Sequence, residues 1–189
     1  KLIMKSITLS ILGIYASGKS TLVHSFIQKK KFPETKIPEA TIGAAYFKYI
    51  YDNHTLIEIW DTAGQERYAS LLPMYTRKTD ILLFVIDPTN IHSISYLEKI
   101  ISPILGSRPH TPPYAIHIII TKYDTQRDSI LSNILIERAI KCIQDKLKMF
   151  AMPNVLIRSF ITSTRTNKNI DTPFITGLDE TTQNTTSEP

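Results

Sequence analysis

The chain has 189 residues, of which 42% are hydrophobic, and a formal net charge of +5. This length can bury one sizeable core, so we expect a single domain. No apolar run reaches the roughly 20 residues that span a bilayer, and the N-terminus lacks a signal-peptide pattern, so we expect a cytoplasmic protein. The basic residues are scattered apart from the run at 29–31, so we expect no nucleic-acid partner, and the lone Cys142 excludes an internal disulfide.

Apolar runs alternate with stretches of helical periodicity, which is the pattern of βαβ units and a mostly parallel sheet. In chain order the pattern predicts a strand at 7–12, a helix at 21–26, a hairpin at 45–51 and 54–60, a strand at 81–86, a helix at 93–104 that ends near Pro103, a strand at 116–120, a helix through 136–150 and a strand at 155–161. Beyond 171 we expect one short helix. We assign residues 1–178 to one domain and 179–189 to a polar, disordered tail or linker.

The first predicted strand runs directly into the string G-I-Y-A-S-G-K-S at positions 13–20. This is the G-x-x-x-x-G-K-[ST] phosphate loop in its required context between a strand and a helix. Main-chain N–H groups of such a loop and the dipole of the following helix bind phosphate oxygens. Lys19 would reach the β- and γ-phosphates, and Ser20 would ligate Mg²⁺. The predicted nucleotide-binding residues of this segment are Gly13, Tyr15, Ala16, Ser17, Gly18, Lys19, Ser20 and Thr21.

Two further strings flank the predicted hairpin: T-I-G at 41–43 and W-D-T-A-G-Q-E-R-Y at 60–68. They resemble the two switch segments of Ras-like GTPases, and the second is similar to the Rab family. The strings T-I-G-A-A-Y-F at 41–47 and P-M-Y at 73–75 resemble the early-endosomal Rab branch. The resemblance implies a three-layer α/β P-loop GTPase fold, with a six-stranded, mostly parallel sheet, one antiparallel edge strand and helices on both faces.

The resemblance also implies roles for residues in these strings. Thr41 would complete the Mg²⁺ shell that Ser20 begins, Asp61 would hold the ion through water, and the N–H of Gly64 would approach the γ-phosphate. Gln65 would orient the attacking water, which makes it the predicted catalytic residue. Both loops would be released after GTP is hydrolysed to GDP, and this release is the signal.

The predicted base pocket departs from the family pattern at one position. Ras-like proteins recognise guanine with N-K-x-D, whereas this chain has Thr121, Lys122, Tyr123 and Asp124. Lys122 would lie along the base, and Asp124 would accept hydrogen bonds from its N1 and amino groups. A threonine hydroxyl cannot reproduce the simultaneous bonds of an amide to the base and to the phosphate loop. We therefore expect nucleotide binding to be weaker by about 1–2 kcal/mol.

Two other segments differ from the family pattern. The string T-S-T-R stands where the family has T-S-A-K, and we assign its Ser163, Thr164 and Arg165 to the nucleotide site. Tyr15 stands where Ras has glycine and Rab proteins have small residues. Its ring could crowd Gln65 or a residue inserted by an activating protein, so we expect slow GTP turnover that Tyr15→Gly raises.

These observations predict a GTP-binding molecular switch that hydrolyses GTP slowly and regulates vesicle or membrane traffic. The alternative is a pseudo-GTPase scaffold that holds GTP or GDP and recruits partners with negligible hydrolysis. Tyr15 and Thr121 favour that alternative, whereas the intact Gln65 and Thr41 oppose it. A P-loop kinase or ATPase is the third possibility, which tight binding of adenine nucleotides would indicate.

The expected partners are an exchange factor, an activating protein and effectors that contact the loops around Thr41 and Gln65. We expect a monomer that acts in the cytoplasm, at endosomal or vesicle membranes. The chain begins with Lys1 and carries no cysteine near its end for prenylation. We therefore expect it to be part of a longer protein that reaches membranes only if a further C-terminal segment supplies an anchor.

Overall fold

The computed structural model describes residues 5–30, 39–108, 111–124 and 129–178. The strands are β1 Lys5–Leu12, β2 Ala44–Ile50, β3 Thr55–Thr62, β4 Ile81–Ile86, β5 Ala115–Ile120 and β6 Leu156–Ile161. The helices are α1 Lys19–Gln28, α2 Leu72–Thr76, α3 Ser93–Gly106, α4 Ser129–Met149 and α5 Thr172–Ile175, with a 3₁₀ helix at Glu66–Leu71 before α2. Within these ranges no helix is both long and apolar enough to cross a bilayer.

The strands form a six-stranded sheet in the order β2-β3-β1-β4-β5-β6. The edge strand β2 is antiparallel to β3, and the other neighbouring pairs are parallel. Every residue of β4 and β5 is buried, because helices cover both faces of the sheet. The carboxyl ends of the five parallel strands meet at one edge, and the loops that follow them carry the predicted site residues.

Two apolar cores lie on opposite faces of the sheet. On one face, α3 and α4 cover β4 and β5 through side chains such as Ile101, Ile118 and Ile143, which are fully buried. On the other face, α1 and α5 pack against β1, and the rings of Phe26 and Phe174 stack with centroids 4.3 Å apart. Although α5 has only four residues, it completes this second core. The predicted three-layer α/β fold is therefore confirmed.

The predicted end of α3 near Pro103 is wrong, because the helix continues to Gly106 with Pro103 inside it. Proline is normally disfavoured inside a helix, because it lacks the N–H that would donate to the carbonyl four residues earlier. Here Ile104 and Leu105 follow it and are fully buried, so their packing holds the last turn in place. The predicted tail at 179–189 lies outside the described residues.

His117 is a buried titratable group in the central strand β5. Its Nδ1 donates to the carbonyl of Pro173 over 2.9 Å, and its ring makes an edge contact with Phe160. Burial lowers the pKa of His117 from 6.5 to about 4, although the bond to Pro173 acts in the opposite direction. The folded chain therefore keeps this imidazole neutral at pH values where an exposed imidazole is charged.

We expect this histidine to make the fold sensitive to acid. Below its unfolded pKa of 6.5 the unfolded chain binds a proton that the folded chain does not, so stability falls as the pH drops from about 6.5 to about 4. Urea titrations at about pH 7 and about pH 5 measure the free energy of unfolding. Between these pH values it should fall by about 2 kcal/mol more in the wild-type chain than in His117→Gln. The exposed His92, changed to Gln, is the control. Equal losses in the wild type and His117→Gln would contradict the prediction.

Candidate functional site

The loop between β1 and α1 has a backbone that glycine makes possible. Gly13 has a φ of +152°, and a Cβ there would lie 2.5 Å from the carbonyl oxygen of Val85. Gly18 has a φ of +96° and stands immediately before α1. Ala16 adopts a φ of +59°, in the left-handed region that non-glycine residues seldom occupy. The loop thus combines a tight turn with a helix start, as phosphate binding requires.

Lys19 is a buried cation at the start of α1. Its side chain is 6% exposed, and its Nζ donates to the carbonyl of Ile14 over 2.9 Å. Burial lowers the pKa of Lys19 to about 8, while the attraction of Asp61 acts in the opposite direction. An anion that entered beside this ammonium would stabilise its charged form.

Ser20, Thr41 and Asp61 come together although they lie far apart in the sequence. The hydroxyl oxygens of Ser20 and Thr41 are 3.1 Å apart. Asp61 is 1% exposed, and its Oδ1 has no hydrogen-bond partner among the described residues. Burial raises the pKa of Asp61, opposed by hydrogen bonds from both hydroxyls and by the charges of Lys19 and His24. Two hydroxyls and an unsatisfied carboxylate oxygen fit a hard divalent cation such as Mg²⁺.

A pocket of about 300 Å³ lies beside Lys19, Ser20 and Thr41, and Asp61 is not among the residues that line it. Its lining residues are Tyr15, Ala16, Gly18, Lys19, Ser20, Thr21, Glu39, Ala40, Thr41, Thr62, Gly64 and Lys122. Sequence reasoning missed Glu39, Ala40 and Thr62. The available signal was only that Ala40 and Thr62 adjoin predicted metal ligands and that Glu39 lies two residues before one. Tyr15 is 54% exposed at this pocket, so its ring is accessible to a bound ligand or a partner.

The main chain at Gly64 touches the phosphate loop. A Cβ at this position would lie 2.5 Å from both the N of Tyr15 and the Nζ of Lys19, so only glycine allows the approach. Gln65 follows with extended backbone and precedes the 3₁₀ helix. It is not among the lining residues of the described pocket, so the structure brings Gly64 to the site without placing the amide of Gln65 there.

Thr121 links the base side of the site to the phosphate loop. Its hydroxyl donates to the carbonyl of Ser17 over 2.7 Å and lies 3.3 Å from the carbonyl of Ile86. The side chain is buried, and its one hydroxyl hydrogen points to the protein. Threonine therefore makes a bond to the phosphate loop, and its single hydroxyl hydrogen leaves no second donor for another partner.

Asp124 is held by the loop that follows β6. The hydroxyl of Ser163 donates to its Oδ1 over 2.5 Å, and Nη1 of Arg165 lies 3.9 Å from its Oδ2. Thr164 stands between these two residues and is half-buried. None of these residues is among those that line the pocket. The carboxylate is thus oriented from one side, while Lys122, two residues earlier, reaches the pocket wall.

Comparison with known proteins agrees with this geometry. The family described as "Ras: Ras family" matches residues 8–183. The Ras-related protein Rab5A of Oryza sativa subsp. japonica is 43% identical over 99 residues, covering 51% of this chain and 47% of that protein. The Ras-related protein RABF2b of Arabidopsis thaliana is 46% identical over 94 residues, covering 48% and 46%. These matches span about half the length of either relative.

A third relative extends along most of the chain. The GTP-binding protein ypt5 of Schizosaccharomyces pombe is 34% identical over 170 residues, covering 88% of this chain and 73% of that protein. The relatives of the Rab5 type confirm the predicted resemblance to the early-endosomal Rab branch. With the family match across residues 8–183, these similarities establish that the chain belongs to the Ras family.

Proposed function

We propose that this chain is a GTP-binding molecular switch that regulates vesicle traffic and hydrolyses GTP slowly. The observation that carries the proposal is the pairing of two buried opposite charges, Lys19 and Asp61. Lys19 lines a pocket whose wall includes the glycine-shaped phosphate loop. Such a pocket suits a polyphosphate together with a divalent cation, because each neutralises a charge that is costly to bury alone.

The nucleotide would lie along the carboxyl edge of the sheet. Main-chain N–H groups of the segment 13–21 and the ammonium of Lys19 would bind the phosphates. Asp124, oriented by Ser163, would accept two hydrogen bonds from guanine and so reject adenine. Thr121 would hold the loop while contributing less to the base than an asparagine does.

Magnesium would be held by Ser20, Thr41 and Asp61, whose oxygen atoms already face one another. When bound, the ion supplies positive charge that stabilises the negative charge on the phosphates. Because Thr41 lies before β2 and Ser20 on α1, their contact connects the segment 39–43 to the site. Loss of the γ-phosphate would loosen that connection, which gives the chain two states that partners can distinguish.

In hydrolysis the oxygen of water would bond to the γ-phosphorus. The bond from the γ-phosphorus to the β-phosphate oxygen would break, which yields GDP and phosphate. Gln65 would orient the water after a local movement that brings its amide into the pocket. Gly64 would donate its N–H to the γ-phosphate, since its backbone already touches the phosphate loop. Tyr15 would slow the reaction by occupying space that Gln65 or an activating protein needs.

The partners would be an exchange factor, an activating protein and effectors. A groove of about 780 Å³, lined by Tyr46, Trp60, Met74 and Tyr75 among others, would be the effector surface. Met74 is 64% exposed, so this groove offers apolar area to a protein surface. We place the switch at endosomal or vesicle membranes, by similarity to the Rab5-type relatives, and assign residues 1–178 to one monomeric domain.

Measurements of nucleotide binding and then of GTP turnover distinguish the proposed switch from the alternative pseudo-GTPase scaffold. The wild-type chain should bind mant-GDP and mant-GTP with magnesium, should not bind mant-ADP comparably, and should then release phosphate slowly in a single-turnover assay. Tight guanine binding with no phosphate release would select the scaffold. Tight adenine binding would contradict both.

Changing Tyr15 to glycine should raise the single-turnover rate of GTP hydrolysis. Removing the ring should free space in the pocket that Gln65 needs when it moves in, with an expected gain of about three- to tenfold, or about 1 kcal/mol in the barrier. Tyr51→Gly changes an exposed tyrosine of the β2–β3 turn and should leave the rate unchanged. An unchanged rate in Tyr15→Gly would mean that the ring points away from the γ-phosphate.

Nucleotide binding should take up a proton at Lys19. With a pKa of about 8, Lys19 is about half deprotonated near pH 8 in the free chain, and a bound polyphosphate raises that pKa. Calorimetric titration with GDP and magnesium near pH 8, in two buffers of different ionisation enthalpy, should show uptake of about half a proton per nucleotide. Affinity should be highest below about pH 8 and fall above it.

The exposed Lys30, changed to Gln, is the matched control and should leave that uptake unchanged. Near pH 7 the wild-type uptake should shrink to about a tenth of a proton. Binding near pH 8 without any proton uptake would show that Lys19 is already fully charged in the free chain.

A further inference from the structure

Asp87 is a buried carboxylate at the edge of the proposed nucleotide site. It follows directly after β4 and is 3% exposed. The neighbouring strands β4 and β5 are parallel, with Ile86 opposite Ile120. The residues that follow these strands therefore emerge side by side, which brings Asp87 next to Lys122 on the pocket wall.

The Asp87 carboxylate uses its two oxygen atoms for different purposes. Its Oδ1 accepts hydrogen bonds from the N–H and the hydroxyl of Thr89, at 2.9 and 2.7 Å. The N–H of Asp87 itself donates to the hydroxyl of Ser93 over 2.9 Å. These local bonds fix the orientation of the carboxylate. The remaining atom, Oδ2, lies 2.6 Å from Nζ of Lys122.

The side chain of Lys122 is long and partly exposed, so its position in the pocket depends on contacts with neighbouring residues. Its backbone is in the left-handed region, with a φ of +56°, where non-glycine residues are strained. Its long side chain would sample many rotamers if it were unrestrained. It lines the pocket, and its side chain is 38% exposed, so water competes for the ammonium. The carboxylate of Asp87 is only 4% exposed, and its ion pair holds the ammonium of Lys122 against the protein.

We propose that Asp87 is a positioning residue for guanine recognition, which holds the hydrocarbon stem of Lys122 in the place where the base stacks. This inference rests on the proposed function, because it assumes a guanine beside Lys122. The bonds to Thr89 and Ser93 suffice to shape the loop after β4. The ion pair through Oδ2 adds a connection to the nucleotide pocket, so its loss should affect the nucleotide more than the loop.

A double-mutant cycle on nucleotide release tests the inference. Wild type, Asp87→Asn, Lys122→Gln and the double variant are loaded with mant-GDP and magnesium, and dissociation is followed after adding excess GDP. Each single change should speed dissociation about tenfold, and the double variant should be no faster than Lys122→Gln alone. Thr89→Val removes the hydroxyl bond to Asp87 but keeps the bond from the Thr89 N–H and the ion pair, so it should change the rate by less than about twofold.

Melting temperatures recorded without added nucleotide separate general destabilisation from this effect, since a loss of stability alone does not make two changes non-additive. If Asp87→Asn does not fold, Asp87→Glu takes its place, because the longer side chain also displaces the ammonium. A wild-type rate in the Asp87 variant, or rate increases that multiply in the double variant, would overturn the inference. Failure of the wild-type chain to hold mant-GDP would instead overturn the proposed function.

Discussion

The burial of two opposite charges, Lys19 in α1 and Asp61 in β3, is the constraint on which the rest of the site depends. The ammonium is 6% exposed, the carboxylate 1%, and one oxygen of the carboxylate has no hydrogen-bond partner in the described part of the chain. Burying charges costs free energy unless partners compensate. The lowered pKa of Lys19 and the raised pKa of Asp61 both express that cost. A polyphosphate with a divalent cation would relieve both.

The order of the sheet explains how these groups meet. β1 and β3 are parallel neighbours, with Ile11 opposite Asp61, so the phosphate loop after β1 and the carboxylate in β3 reach the same edge. β4 and β5 bring their own following residues to that edge. Hydrogen bonds then tie the loops to one another, from Thr121 to Ser17 and from Ser163 to Asp124. The site is thus a property of parallel topology reinforced by side-chain bonds between loops.

Local sequence signals predicted much of this arrangement. Buried strands at 81–86 and 116–120 are readable because parallel strands covered on both faces are continuously apolar. The phosphate loop is readable because its glycines, lysine and serine are close together in the chain. The end of α3 was missed because the proline signal at 103 is local, whereas the packing of Ile104 and Leu105 that overrides it is tertiary.

Parts of the candidate site were missed for the same reason. Asp87 is one acidic residue after an apolar strand, and only the register of β4 and β5 reveals its contact with Lys122. The hydrogen bond from Thr121 to Ser17 joins residues that are 104 positions apart. Comparing threonine with the family's asparagine therefore predicted weaker nucleotide binding but did not reveal this hydrogen bond to the phosphate loop. Sequence patterns indicate the chemistry of residues within one segment. Contacts between distant segments are revealed only by the three-dimensional fold.

Thermal melting of nucleotide-stripped protein tests the central claim most directly, because a ligand that binds only the folded chain raises the melting temperature. Samples receive GDP, magnesium, both together, or ADP with magnesium. We expect a large rise with GDP and magnesium together, a smaller rise with either alone, and little change with ADP and magnesium. A melting temperature that GDP and magnesium together leave unchanged would contradict a nucleotide site at Lys19 and Asp61.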